Sequence, residues 1–136
     1  MGASEDKELL KNLDNLFKNR LKGDFNNSSD KVDVILYTSQ ECKKSLKMER
    51  IDTLESYFNA NGYSNIDTDF SGMWEMFLMV FVRNELLNDV TKVKKQQIAK
   101  GKNGLVVTFG NKGGVAYNFK LKNIVFTAIA THLQHK

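Results

Sequence analysis

Residues 101–134, GKNGLVVTFGNKGGVAYNFKLKNIVFTAIATHLQ, decide how the chain folds. Two apolar runs, 105–108 and 124–129, and an alternating run, 115–121, have the lengths and composition of strands. Gly110-Asn111-Lys112-Gly113-Gly114 joins the first run to the alternating one. Glycine lacks a Cβ and reaches positive φ, so three glycines in five positions let backbone amides approach an anion. Thr131-His132 closes the last strand. A basic glycine turn and a histidine at a strand end, joined by short connections, can meet at one phosphate.

Composition bounds what surrounds this stretch. With 136 residues, 41% of them hydrophobic, the chain is expected to be a single domain with a core of ordinary size. No uncharged apolar run approaches the ~18 residues that a membrane helix needs. The start, MGASEDKELL, is acidic and has no apolar signal region, and Asp6 stands where a myristoylation pattern wants Ser or Thr. The single cysteine, Cys42, has no internal disulfide partner and suits a reducing compartment, so a cytoplasmic location is expected.

The net charge of +4 hides an uneven distribution. Residues 1–90 hold 11 Lys and Arg against 16 Asp and Glu, a net of −5, whereas residues 91–136 hold nine Lys and no acid. Such asymmetry suits a polyanionic partner: nucleic acid, a phospholipid headgroup or an inositol phosphate. A solvated lysine face is the plainer reading.

Upstream, Leu9, Leu10, Leu13, Leu16, Phe17 and Leu21 recur at helical spacing, which predicts a helix over 5–21 with Ser4 as its N-cap. Residues 22–31 form a polar loop. The β-branched run 32–37 predicts a buried strand ending in Thr38-Ser39-Gln40-Glu41. A second helix is expected over 45–59 with Met48, Ile51, Leu54 and Phe58 inward, stopped by Asn61-Gly62. Residues 63–72 read as loop, 73–82 as an interior strand, 84–93 as a helical turn or crossover, and 92–102 as a basic, mobile segment. Proline and internal repeats are absent. The order of elements predicts an α/β or α+β layered domain.

Several site chemistries fail on spacing. Six residues after Cys42, where a cysteine phosphatase needs arginine, stands Met48. No Gly-Lys-Ser/Thr follows a glycine run, and no dinucleotide fingerprint follows a strand. His132 and His135 have no clustered ligands to make a zinc site, and no G-x-S-x-G elbow supports a serine triad. What remains is Glu41 at one strand end, His132 at another, and the glycine-lysine turn. Glu41 is either a solvated turn residue or a single carboxylate for Mg²⁺, which often takes only one or two and leaves its other positions to water and substrate phosphate.

The strand ending in Gln40-Glu41, the run 77–83, the turn 108–115 and Thr131-His132-Leu133 together resemble the inositol polyphosphate 5-phosphatases of the Mg²⁺-dependent endonuclease/exonuclease/phosphatase superfamily. The specific part is the Gly-Asn-Lys-Gly turn followed about twenty residues later by a strand ending in His-Leu. The resemblance implies a DNase I-like layered β-sandwich flanked by helices. It also implies hydrolysis of the 5-phosphate of an inositol phosphate or phosphoinositide, with a peripheral membrane surface as a further partner. Glu41 would hold Mg²⁺ with Gln40 beside it, Asn111 and Lys112 would lie near substrate phosphates, and His132 would contact the scissile phosphate.

The family resemblance begins near residue 30, so residues 1–31 read as an N-terminal helix and loop before a family-like region at 32–136. Thr38 replaces a family glycine, and Gln134 and His135 replace small residues. The family's opening Trp-Asn-x-Asn motif, its later Gly-Asp-x-Asn segment and its final Asp-His pair have no counterpart here. The chain is therefore expected to be the first part of a catalytic domain, weak or inactive by itself, with strand 124–129 in need of a cover. Two further readings follow: a non-catalytic phosphoinositide binder using Lys112 and neighbouring lysines, and a nucleic-acid module stacking bases on Phe109, Tyr117 and Phe119. The core reading of those aromatics competes with the last, and nucleic acid is the less favoured partner.

Overall fold

A computed structural model of the chain describes residues 2–17, 31–40, 43–66, 71–73, 76–99 and 113–132. Its centre is β4 (Met76–Arg83), whose residues 76–82 are all buried. Side chains alternate across a strand, so β4 serves two cores. Met76, Leu78, Val80 and Val82 enter one, and Phe77, Met79 and Phe81 enter the other. That is why the segment reads as a continuous apolar run. Each large side chain so buried stabilises the fold by ~1.5–3 kcal/mol.

Sheet A forms around this strand. β1 (Val34–Ser39) pairs antiparallel on one side, from Val34 opposite Val82 to Ser39 opposite Phe77. β2 (Tyr63–Asn65) and β3 (Ser71–Met73) pair antiparallel on the other. The expectation of loop over 63–72 is thus corrected: Tyr63 is fully buried and its hydroxyl donates to the Val32 carbonyl. β1 is also not a buried strand, since among the described residues it lies at the sheet's edge and leaves Leu36 half exposed.

Two helices cover the face of sheet A that carries Phe77, Met79 and Phe81. α1 (Gly2–Phe17) contributes Leu13, with Leu9 and Phe17 packed beside it. It begins at Gly2, so Ser4 lies within the helix and does not cap it. Leu16, expected inward, is 72% exposed because the buried stripe centres on Leu13 and leaves Leu16 at its margin. In α2 (Lys44–Ala60) the inward row is Lys47, Ile51, Leu54 and Phe58. Met48 falls off that row and is 59% exposed, while Lys47 is 9% exposed. Tyr57 of α2 donates to the Asp14 carboxylate of α1 at 2.8 Å. Burial, followed by that hydrogen bond, raises the Tyr57 pKa well above the usual phenol range. Gly62 ends α2 as expected, with φ of 89° and room for a Cβ only 3.3 Å from Lys31 Nζ.

A 3-10 helix, Asn84–Asp89, leads to sheet B, an antiparallel meander of β5 (Val90–Ala99), β6 (Gly113–Leu121) and β7 (Ile124–His132). Residues 92–99, expected to be mobile, are therefore strand. A bulge between Thr91 and Lys94, with Lys92 at φ 53°, interrupts the pairing with β6. Exposed lysines suit such an edge strand, because they oppose pairing with another chain. β6 alternates as its sequence predicts: Val115, Tyr117, Phe119 and Leu121 meet the first face of β4, together with Ala128 and Ala130 of β7.

This sheet-on-sheet contact is pinned by Tyr117, whose hydroxyl donates to the Ile66 carbonyl at 2.9 Å. Tyr117 and Phe119 are each 1% exposed, so neither ring can stack a base; Phe109 lies outside the described residues. β7 is paired with β6 along its whole length but, among the described residues, has no strand on its other side, so the expected need for a cover at 124–129 stands. Its opposite face is open, leaving Val125 71% and Ile129 62% exposed. The described layers are thus helices, sheet A and sheet B, a mixed helix and strand fold with antiparallel sheets. No described helix is long and apolar enough to cross a membrane.

Candidate functional site

β1 and β7 belong to different sheets, yet their C-terminal ends meet. The Gln40 side-chain amide, one residue past β1, donates to the backbone carbonyl of Thr131 near the end of β7. Within sheet B, Gly113 is opposite His132 and Gly114 is opposite Thr131. The described members of three sequence motifs therefore share one corner: Gln40 of the Gln-Glu pair, Gly113 and Gly114 of the glycine-lysine turn, and Thr131 and His132 of the strand end. Residues 91 positions apart in the chain, Gln40 and Thr131, are thereby joined.

Local chemistry explains the arrangement. Gly113 has φ of 150°, a conformation that side-chain-bearing residues rarely adopt, and it begins β6 from the turn. Gly114 is less constrained, since an added Cβ would make ordinary contacts of 3.6 Å with the Ala130 carbonyl oxygen and with Thr131 Cγ2. Glu41, Asn111 and Lys112 lie outside the described residues, as do the strand expected over 105–108 and Gly110; for His132 the backbone position is described and the side chain is not. Sequence reading missed the Thr131 carbonyl, because a backbone acceptor carries no residue signature. Among the described residues no group of three or more His, Cys, Asp or Glu could hold a metal.

At the other end of sheet A, the ionic cluster is structural. Arg83 holds Asp33 at 2.9 Å and Glu85 at 3.6 Å, and Lys31 lies 3.8 Å from Glu85 and over the Tyr63 ring. Burial pushes the Tyr63 phenol up to about 12, with Asp33 and Glu85 adding to the rise and Arg83 opposing it. These charges lie by the start of β1 and the end of β4, away from the corner at Gln40.

The two-sheet sandwich with helices on its flank brings the described members of the Gln-Glu, glycine-turn and Thr-His motifs to one corner. The chain belongs to endonuclease/exonuclease/phosphatase family 2, whose model matches residues 2–136. Among solved structures it is similar to the inositol polyphosphate 5-phosphatase domain of a synaptojanin, crystallised with inositol (1,4)-bisphosphate and calcium. The TM-score is 0.62 at 19% identity, over 88% of this chain and 35% of that one. It is also similar to a Cimex nitrophorin in a ferrous nitric oxide complex, with a TM-score of 0.56 at 17% identity, over 75% of this chain and 36% of that one. No curated protein sequence matches. The chain thus spans about a third of the length of these two structures and shares their DNase I-like fold. That a nitrophorin shares it shows that the fold does not by itself carry phosphate chemistry.

Proposed function

We propose that the chain carries part of an Mg²⁺-dependent phosphoesterase site that removes the 5-phosphate from inositol phosphates or phosphoinositides. The observation that carries this reading is the Gln40–Thr131 hydrogen bond, which joins the Gln-Glu and Thr-His strand ends across two sheets. Family membership and the inositol bisphosphate held by the synaptojanin domain support it.

The donor set at the end of β1, the Glu41 carboxylate and the Gln40 amide oxygen, is hard oxygen chemistry of the kind Mg²⁺ accepts. When bound, the ion would neutralise charge on the phosphate and polarise its oxygens. The remaining roles fall to the chain's own groups. Asn111 and Lys112 of the turn that leads into Gly113 bind and orient the phosphates. His132 holds the scissile phosphate. A water oxygen bonds to phosphorus as the P–O bond to the ring breaks, and the proton that the water gives up is matched by the one that the leaving inositol oxygen takes up.

The test is phosphate release from inositol 1,4,5-trisphosphate and from phosphatidylinositol 4,5-bisphosphate, with Mg²⁺ and with EDTA, beside Glu41→Gln and His132→Ala. Release that requires Mg²⁺ and both residues supports the reading. Binding of either compound that survives EDTA and Glu41→Gln, without any release, would replace hydrolysis by binding alone.

A further inference from the structure

The helical layer, on the face of sheet A turned away from sheet B, holds a groove between its two helices. It has a volume of about 760 Å³ and is lined by Leu10 of α1 and by Glu49, Asp52, Thr53, Ser56 and Tyr57 of α2. The α2 residues recur at i, i+3, i+4, i+7 and i+8, which is one face of a helix, and span about 12 Å at ~1.5 Å per residue. That face lies across the helix from the inward row of Lys47, Ile51, Leu54 and Phe58, so the groove opens outward. Leu10, Thr53 and Tyr57 are half-buried, whereas Glu49, Asp52 and Ser56 are exposed. An acidic rim thus stands over a mainly apolar floor. Tyr57 is fixed from two sides: its ring meets Phe58 edge-on at 5.2 Å, and its hydroxyl donates to the Asp14 carboxylate at 2.8 Å.

We propose that this groove docks a basic amphipathic helix of a partner protein. An apolar stripe on that helix rests on Leu10 and the Tyr57 ring, and its lysine or arginine side chains reach Glu49 and Asp52. Charge complementarity selects this occupant. Residues 1–90 carry a net charge of −5, and among the described residues no Lys or Arg lines the groove. An anionic membrane surface or a nucleic acid is repelled by such a rim.

The form of the occupant follows from the walls. Backbone groups in the middle of α1 and α2 are bonded within each helix, so an extended peptide would find no ladder to join, whereas a helix brings its own backbone bonds. A small molecule would stay largely in water, because the groove is an open trough and ligand sites bury most of their ligand. Nor does this chain supply the helix. Among the described residues α1 and α2 are its only α-helices, and both turn their apolar rows into the core on sheet A. The groove contains none of the residues at the corner of Gln40 and Thr131, so docking and hydrolysis can each fail without the other.

The test is fluorescence anisotropy of a labelled helical peptide of about 18 residues, with leucine on one stripe and lysine on its flanks, titrated with the whole chain. The expected result is saturable binding that weakens as salt is raised. Glu49→Gln with Asp52→Asn should weaken it by up to about 25-fold, at about fivefold or less per carboxylate. Ser56→Lys, which puts a like charge in the groove, should abolish it, whereas Leu16→Ser, an exposed apolar position on α1 outside the groove, should leave it unchanged. All four positions are exposed, and circular dichroism would confirm that each variant is folded. Absence of saturable binding would overturn the proposal, as would binding that the groove variants leave unchanged. Equal binding of a peptide of the same composition with its leucine stripe scrambled would also overturn it, since only unspecific charge would remain. Groove variants that abolish spermine binding or self-association, with no peptide bound by the parent chain, would assign the groove to another occupant and overturn it as well.

Discussion

Removing one oxygen atom, in Tyr117→Phe, should destabilise the whole sandwich. The Tyr117 ring is 1% exposed and its hydroxyl donates to the Ile66 carbonyl at 2.9 Å, linking sheet B to the segment that leaves β2. The Ile66 amide is itself bonded to the Val80 carbonyl of β4 at 3.0 Å, so the link runs directly into the central strand. A net hydrogen bond contributes ~1 kcal/mol, and a buried carbonyl left unsatisfied costs ~1–3 kcal/mol. Ile66 is half-buried and water can partly replace the lost donor, which selects the lower part of that range, ~1–2 kcal/mol. For a chain of this size such a loss lowers the unfolding midpoint by about 4–8 °C. Tyr117→Leu removes the ring as well and should cost more than Tyr117→Phe through the cavity it leaves. Thermal unfolding followed by circular dichroism reads both. If Tyr117→Phe unfolds at the parent temperature while Tyr117→Leu does not, packing alone joins the sheets and the cross-sheet bond contributes nothing.

Two further outcomes follow from individual side chains. Burial pushes Tyr63 up to about 12, and an unfolded tyrosine titrates near 10. The native state therefore keeps a proton that the unfolded chain loses, so stability is intact below about pH 10 and falls as pH rises toward about 12. Tyr57 acts in the same direction, and urea midpoints measured across that window should show the decline, with a flat profile refuting it. Gln40→Ala removes the bond between the β1 and β7 ends. It should lower stability by about 1 kcal/mol or less, because Gln40 is exposed, yet it should speed amide exchange at 130–132 selectively. Unchanged exchange there would mean that the two strand ends are held by other contacts.

Much of this architecture could be read from the residues because period and burial agree. In β6, Val115, Tyr117, Phe119 and Leu121 alternate with partly exposed residues, and the unbroken apolarity of Met76–Val82 announces a strand covered on both faces. In α2 the inward row is hidden because a lysine, Lys47, occupies it and the apolar Met48 beside it reads as the inward residue. Val90–Ala99 was hidden for a different reason: exposed lysines and glutamines resemble a solvated loop unless the partner strand is known. Tyr63–Asn65 was too short for a periodic signal, and its assignment rests on pairing with β4. At the site, the motifs point to Glu41, with Gln40 beside it, and to His132, of which Gln40 and the His132 backbone are described. Only the tertiary arrangement could supply the Thr131 carbonyl that Gln40 meets.

The two sheets are drawn from separate stretches of the chain. Every described strand of sheet A lies between Val34 and Arg83, every described strand of sheet B lies between Val90 and His132, and Asn84–Asp89 is the covalent passage from one to the other. Among the described residues no backbone ladder crosses that passage. Each sheet can consequently complete its hydrogen-bonded ladders without waiting for the other, and what remains for the late stage of folding is the meeting of side chains from β4 with those from β6 and β7. The all-or-none character of the domain thus resides in an apolar seam between two separately knitted halves, and loosening that seam would turn one cooperative unit into two.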